Sequence, residues 1–133
     1  MNYYSTNRNT PEVSLEQAVI KGLAEDNGLF MPEKIKRFPD DFFEIIGTLS
    51  FQEIAFEVAQ AFFGEDIEPE ALKKIVYDSL NFDTPLVRVE KNIYSLELFH
   101  GPTLAFKDVG ARFMSRVLSY FIQKQGNSEP VNV

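Results

Sequence analysis

Leu96-Glu97-Leu98-Phe99-His100-Gly101-Pro102-Thr103-Leu104-Ala105-Phe106-Lys107-Asp108-Val109-Gly110 is the stretch on which the reading of this chain turns. It reads as a short apolar strand, a breaker loop at Gly101-Pro102 and then the start of a helix. The helix start places one lysine, Lys107, among apolar neighbours and beside backbone N–H groups that the helix leaves unused. Apolar surroundings disfavour a charged ammonium, and a neutral amine attacks carbonyl carbon. A helix N-terminus also holds anions such as phosphate. An imine-forming lysine beside a phosphate site is the arrangement that pyridoxal phosphate requires.

Downstream, a helix is expected from about Leu104 to Lys124, with Val109, Phe113, Val117 and Phe121 along one face. Gln125-Gly126-Asn127-Ser128 ends it, and Pro130-Val131-Asn132-Val133 reads as a loop and the first residues of a further strand. A helix followed by an incipient strand is the middle of a βαβ unit. The expectation is therefore an N-terminal piece of a longer protein. Upstream, Thr84–Val89 and Tyr94–Phe99 read as two strands joined by a turn at Glu90-Lys91-Asn92.

The first eighty residues carry helical signals instead. Tyr3-Tyr4-Ser5 reads as a short strand, and Thr6 to Pro11 as loop. Ser14 and Gln17 form a capping box for a helix whose apolar face is Leu15, Ala18, Val19 and Leu23, and Asn27-Gly28 is its expected stop. Met31-Pro32 reads as irregular chain. Pro39-Asp40-Asp41 opens a short helix bearing Phe42, Ile45 and Ile46. Ser50 and Glu53 form a second capping box, ahead of a face of Ile54, Ala55, Val58, Ala61 and Phe62 that ends at Gly64. Pro69 suits a first helical position, with Leu72, Ile75, Val76 and Leu80 on the face behind it. The expected core is Leu15, Val19, Leu23, Phe30, Ile54, Val58, Phe62, Leu72 and Val76. The fold class is α+β, mainly helical.

Bulk composition narrows the function classes. A chain of 133 residues suits one domain or two small ones, and 44% hydrophobic with 25% charged residues is ordinary for a globular protein. A formal net charge of −7 argues against nucleic acid and against anionic membrane surfaces as partners. There is no cysteine, which excludes disulfides, thiolate metal sites and a thiol nucleophile; a single histidine excludes a histidine-rich metal cluster. No apolar run reaches the length of a membrane span, and the polar N-terminus lacks a secretory pattern, so a cytoplasmic protein is the default.

The segment His100-Gly101-Pro102-Thr103-Leu104-Ala105-Phe106-Lys107-Asp108 resembles the lysine-attachment segment of the threonine synthase family, within the fold-type II pyridoxal-phosphate enzymes. Tyr4-Ser5-Thr6, Ser14-Leu15-Glu16-Gln17-Ala18-Val19 and Gly22 to Pro32 are similar to that family's opening segment. The two matches are well separated and stand in the right order. The resemblance implies a helical N-terminal domain over residues 1–82 and the incomplete start of a pyridoxal-phosphate domain over 83–133. It implies Lys107 as catalytic and cofactor-binding residue, through a Schiff base, and O-phosphohomoserine and water as reactants giving threonine and phosphate. It also implies a Ser/Gly/Thr-rich phosphate loop beyond Val133, and so an isolated chain that is inactive and binds the cofactor weakly or not at all. Self-association through surfaces left open by the chain's shortness is a further expectation.

Other readings of the same residues stand beside these. Gly101 to Asp108 has the glycine–lysine separation of a P-loop, but Phe106 stands where that loop needs glycine and Asp108 where it needs Ser or Thr. His100 is either a hydrogen-bonded loop anchor or a contact to cofactor or substrate. Thr103 is either a helix cap or a ligand. Asp108 either favours the charged form of Lys107 or complements the helix dipole. At the level of the whole chain, the alternatives are a related pyridoxal-phosphate phospho-amino-acid lyase and a non-catalytic helical docking module.

Overall fold

A computed structural model describes residues 1–126; the strand expected at 130–133 lies outside the described residues. The elements are β1 (Asn2–Ser5), β2 (Val13–Ser14), α1 (Leu15–Lys21), β3 (Phe30–Pro32), α2 (Asp40–Ile45, continued by a 3-10 turn Ile46–Thr48), α3 (Phe51–Phe63), α4 (Pro69–Ser79), β4 (Leu86–Glu90), β5 (Ile93–Leu96) and α5 (Lys107–Lys124). It is an α+β fold, with five helices and two small sheets among the described residues.

Local signals start the helices. Ser14 Oγ accepts the Gln17 N–H at 3.3 Å while Gln17 Oε1 accepts the Ser14 N–H at 3.1 Å. Ser50 and Glu53 repeat the box at the start of α3, at 3.3 and 2.7 Å. Each box satisfies two backbone donors that a helix start otherwise leaves unpaired. Pro69 opens α4, where its missing N–H costs nothing. Gly64 ends α3 as expected.

The stop of α1 differs from expectation. Gly22, with φ +71°, ends the helix after Lys21, five residues before Asn27. Leu23 therefore lies past the helix end and is 53% exposed instead of in the core. Asn27 does take a left-handed backbone, φ +62°, but it serves the turn that leads into β3. The chain expected to be irregular at Met31-Pro32 is in fact β3, paired antiparallel with β1 in the register Tyr3↔Pro32, Tyr4↔Met31, Ser5↔Phe30. Three residues are too few to show a strand period; the pairing comes from β1, which lies central in the order β2-β1-β3. A polar knot holds the turn in place. Asp26 accepts Ser5 Oγ–H at 2.6 Å, the Gly28 N–H at 2.9 Å and the Asn9 N–H at 3.0 Å. The Ser5 hydroxyl, with those two N–H groups, outweighs burial and holds the Asp26 carboxyl below the usual range. Gly28 is required here, since a Cβ would stand 2.0 Å from Ser5 Oγ.

The core collects Leu15 and Ala18 from α1, Ala59 from α3, Leu72, Ile75 and Val76 from α4, and Val117 and Phe121 from α5, closed by Tyr3, Ile67 and Leu80. Helix α5 packs on both α4 and α1. Of the expected core, Leu15, Leu72 and Val76 are buried; Val19, Phe30, Ile54 and Phe62 are half-buried. Val58 is exposed, because its face of α3 opens on a groove toward α5. Strands β4 and β5 form a separate antiparallel pair, with Asn92 at φ +64° in the Lys91-Asn92 turn and a bulge between Arg88 and Glu90. Leu86, Val89, Tyr94 and Leu96 of that pair are exposed.

The edge of the core beside β1 sets an alkaline limit. The Met1 ammonium lies 3.1 Å from Glu65 and 3.3 Å from Asp66. The hydrogen bond to Glu65, with Asp66 adding, outweighs burial and raises its pKa. Burial of Tyr3, reinforced by the charges of Asp66 and Glu65, pushes its hydroxyl up to about 12. Both groups bind their proton more tightly when folded, so their stabilisation is complete at low pH and is lost as pH rises. The loss begins above the ordinary α-amine value of 8.0 and, for Tyr3, runs from 10.0 to about 12. Urea midpoints measured from pH 7 upward should fall across this window, and Tyr3→Phe should flatten the part above pH 10. A midpoint that stays level through pH 11 contradicts this account.

Candidate functional site

Beyond β5 the chain runs through the loop 97–106 to the first residue of α5, which is Lys107. The Glu97 N–H donates to Pro85 O at 3.0 Å, which fastens the loop to the hairpin. His100 Nε2 lies 2.8 Å from Glu97 Oε2, and its ring stacks on Phe99. These contacts give His100 the geometry of a loop anchor. It also lines a cleft of about 480 Å³ with Gln52, Asn81, Phe82 and Thr84. Several polar groups there are already engaged inside the protein: Gln52 donates to Leu80 O, and Asn81 accepts from Arg112.

The loop closes on Asp108. The Thr103 N–H donates to Asp108 Oδ2 at 2.8 Å, and the Thr103 hydroxyl donates to Oδ1 at 2.8 Å. Gly101 lies buried against the same carboxylate, where an added Cβ would sit 2.5 Å from Oδ2. The Leu104 N–H donates to Gly101 O at 3.0 Å, and Leu104 takes the left-handed backbone, φ +56°, uncommon for a branched residue. Burial alone would raise the Asp108 carboxyl. The Thr103 N–H and hydroxyl, with the Arg112 and Lys107 charges, outweigh it and hold the group below the usual range.

This geometry bears on three expectations. Thr103 does not cap α5 by accepting a helix N–H; it is a donor to Asp108, and Phe106 holds the N-cap position with no side-chain bond. Asp108 turns toward Thr103 and forms no ion pair with Lys107 among the described residues. An anion therefore already meets the positive end of α5, so a phosphate placed there would face a carboxylate. The start of α5 thus presents a carboxylate where the sequence suggests a phosphate.

Lys107 itself is exposed. Its neighbours Leu104 and Phe106 are apolar but 77% and 74% exposed, so they flank the amine without enclosing it. Among the described residues Lys107 Nζ makes neither a hydrogen bond nor an ion pair. The apolar enclosure that the sequence suggests for this amine is therefore absent, and its side chain stands open to solvent beside a fixed loop. The donor set near it does not suit a phosphate. The described residues contain no cluster of side chains able to hold a metal ion.

Arg112, not singled out by sequence reasoning, fastens this site to the helical layer. Its Nε donates to Ser79 O at 2.9 Å, and Nη2 donates to Asp78 O and Asn81 Oδ1, each at 2.8 Å. The guanidinium thus satisfies carbonyls left open at the end of α4 and places positive charge at the negative end of that helix. The only signal in the sequence is an arginine on the helix of Lys107. Its backbone partners lie more than thirty residues away.

Comparison with known proteins places these residues in context. The family described as "Threonine synthase N terminus" matches residues 2–80. The threonine synthase of Schizosaccharomyces pombe is 38% identical over 136 residues, covering 98% of this chain and 26% of its own length. That of Escherichia coli is 38% identical over 120 residues, covering 90% and 28%. The crystal structure of threonine synthase from Escherichia coli superposes with a TM-score of 0.87 at 36% identity, covering 98% of this chain and 30% of that one. A PLP-bound threonine synthase from Brucella melitensis superposes at 0.89 with 34% identity, covering 95% and 28%. The chain thus spans little more than a quarter of the length of the curated relatives it matches.

The Arg112 bridge gives a direct test of how the site is held. Arg112→Ala leaves the Asp78 and Ser79 carbonyls without their donor. An unsatisfied buried acceptor costs about 1–3 kcal/mol. The urea midpoint should fall accordingly, with faster amide exchange at the end of α4. An unchanged midpoint contradicts the bridge.

Proposed function

The chain belongs to the threonine synthase family, and from that membership we propose that it forms the opening part of a pyridoxal-phosphate-dependent threonine synthase in which Lys107 is the cofactor-attachment and catalytic residue. The reaction is that of O-phosphohomoserine with water to give threonine and phosphate. The observation that carries the reading is Lys107 itself: an exposed amine with no partner among the described residues, on the first residue of α5, behind a loop held by the Thr103–Asp108 contact.

When bound, pyridoxal phosphate supplies an electron sink for the substrate's α carbon. The rest falls to the chain. The Lys107 amine holds the cofactor covalently and, once released, moves protons at the substrate's α and β carbons as general base and acid. The loop from Gly101 to Phe106 fixes the backbone on which that amine stands. Asp108 keeps a competing anion at the helix start, so the reading assigns the cofactor's phosphate to donors outside residues 1–126. The reading also divides the chain near residue 82, into a helical unit and the start of the cofactor-binding unit, with Arg112 bridging the two. It carries with it a cytoplasmic setting. Among the described residues no helix is long and apolar enough to cross a membrane.

A second surface bears on the chain alone. Among the described residues the β4–β5 pair has two strands and exposes Leu86, Val89, Tyr94 and Leu96. Such a pair is marginal by itself and has open edges. Self-association of the 133-residue chain through this pair is part of the proposal. Sedimentation velocity should show mass rising with concentration, and Leu86→Lys with Leu96→Lys should suppress it. A monomer at every concentration tested contradicts it.

The catalytic assignment is tested in the full-length protein that carries these residues. Lys107→Ala should remove the lysine's acid–base contribution, about 10²–10⁴-fold, together with the attachment. Lys107→Arg should fail equally, since a guanidinium stays protonated. The isolated 133-residue chain should release no phosphate from O-phosphohomoserine above the free cofactor's background. It lacks the positioning that supplies roughly 7–11 kcal/mol in favourable cases. Full activity in Lys107→Ala removes the assignment, and a product other than threonine replaces the proposed reaction with a related lyase.

A further inference from the structure

We infer that Asp108 is a positioning residue for Lys107: its buried carboxylate, holding both donors of Thr103 across Gly101, locks a strained loop onto the first turn of α5 and thereby fixes where the adjacent lysine stands. The inference rests on the reading of Lys107 as the attachment residue.

The geometry has four parts. Asp108 is 4% exposed although it carries a charge, and its oxygens accept from Thr103 at 2.8 Å each. A buried carboxylate with two short donors has one favoured orientation, because any rotation leaves an oxygen unpaired. Gly101 fits flat against that carboxylate with no room for a Cβ, so the loop and the side chain define each other's position. Leu104 stands in a left-handed conformation between them, a backbone state that persists only where surrounding contacts enforce it. Finally, successive residues of an α-helix point about 100° apart. Asp108 turned inward to the loop therefore sends Lys107 to the outside of the same turn, where it is exposed.

A general structural role would not single out the lysine's turn. Val117 and Phe121, two turns and more beyond, are buried in the core and hold the rest of α5 without help from the loop. Loss of the Thr103–Asp108 contact should free residues 101–109 and leave the remainder of the helix in place.

The test uses the full-length protein with Thr103→Val, Thr103→Ser, Asp108→Ala and, in parallel, Lys107→Ala. Amide exchange is read on the cofactor-free protein. In Thr103→Val and Asp108→Ala, exchange over residues 101–109 should rise about tenfold while that over 112–124 stays within twofold of wild type. On the loaded protein, kcat should fall at least tenfold, with KM for O-phosphohomoserine changed less than threefold. Thr103→Ser, which keeps the hydroxyl, should restore both. Thr103→Val removes one hydrogen bond without introducing a charge, so it serves if Asp108→Ala does not fold. Wild-type exchange and kcat in Thr103→Val, or a Thr103→Ser that fails as badly as Thr103→Val, overturns the inference and leaves the role of Lys107 standing. Unchanged activity in Lys107→Ala overturns that role and the inference with it.

Discussion

The position of the lysine depends first on burial of the far end of its own helix. Val117 and Phe121 are 2% and 1% exposed, and they seat α5 against α4 and α1. The Gln125 side chain adds a hydrogen bond to Glu16 at 2.6 Å beyond the helix end. Arg112 ties the middle of the helix to the last carbonyls of α4. A helix is a stiff rod rising 1.5 Å per residue, so a lysine ten residues before Val117 stands about 15 Å along the axis from that residue, and the core sets the direction of the helix while the first turn is left to the loop. The apolar core of the first eighty residues thus acts on the chemistry at a distance, as the seat into which the lysine helix fits.

Two polar knots finish what the core begins, and they share one design. Ser5 and the N–H groups of Asn9 and Gly28 hold the Asp26 carboxylate; the N–H and hydroxyl of Thr103 hold that of Asp108. In each, a hydroxyl residue donates to an acid, and a glycine stands where a Cβ would collide, with Ser5 Oγ in one and with Asp108 Oδ2 in the other. Each carboxyl lies below its usual range, so each knot is made with a charged acceptor, whose hydrogen bonds are stronger than neutral ones. The first knot builds the turn that brings β3 to β1. The second fastens the loop before Lys107. Gly28 and Gly101, in the two segments that resemble the family, are therefore positions of close approach, whereas Gly22 is a positive-φ helix stop with open space around it.

What was legible in the sequence was local. Ser14 with Gln17, Ser50 with Glu53 and Pro69 announce helix starts through contacts within three residues, and all three helices begin there. The β4–β5 hairpin and α5 were legible by period and breakers, although α5 starts at Lys107 and not at Leu104. What was not legible involves partners far apart in the chain. The β3 strand exists because β1 offers an edge some twenty-five residues earlier. Arg112 finds backbone carbonyls, which leave no trace in residue identity. Leu23 and Val58 fit the helical period, yet one falls beyond an early glycine stop and the other faces an open groove of about 390 Å³ between α3 and α5. At the site, Lys107 was legible through its flanking residues. The orientation of Asp108 was not, because the acid could turn toward the lysine or toward Thr103, and only the close fit of Gly101 decides between them.

The central claim is that the family's cofactor chemistry attaches to this chain at Lys107. The measurement that tests it most directly is borohydride reduction of the cofactor-loaded full-length protein, followed by peptide mapping. Reduction converts a lysine–cofactor linkage into a stable secondary amine, so the label marks the residue that held the cofactor. The account predicts one label per chain, on Lys107, with loss of the visible absorbance of the bound cofactor. Stoichiometric label on any other lysine, with Lys107 unmodified, would contradict it.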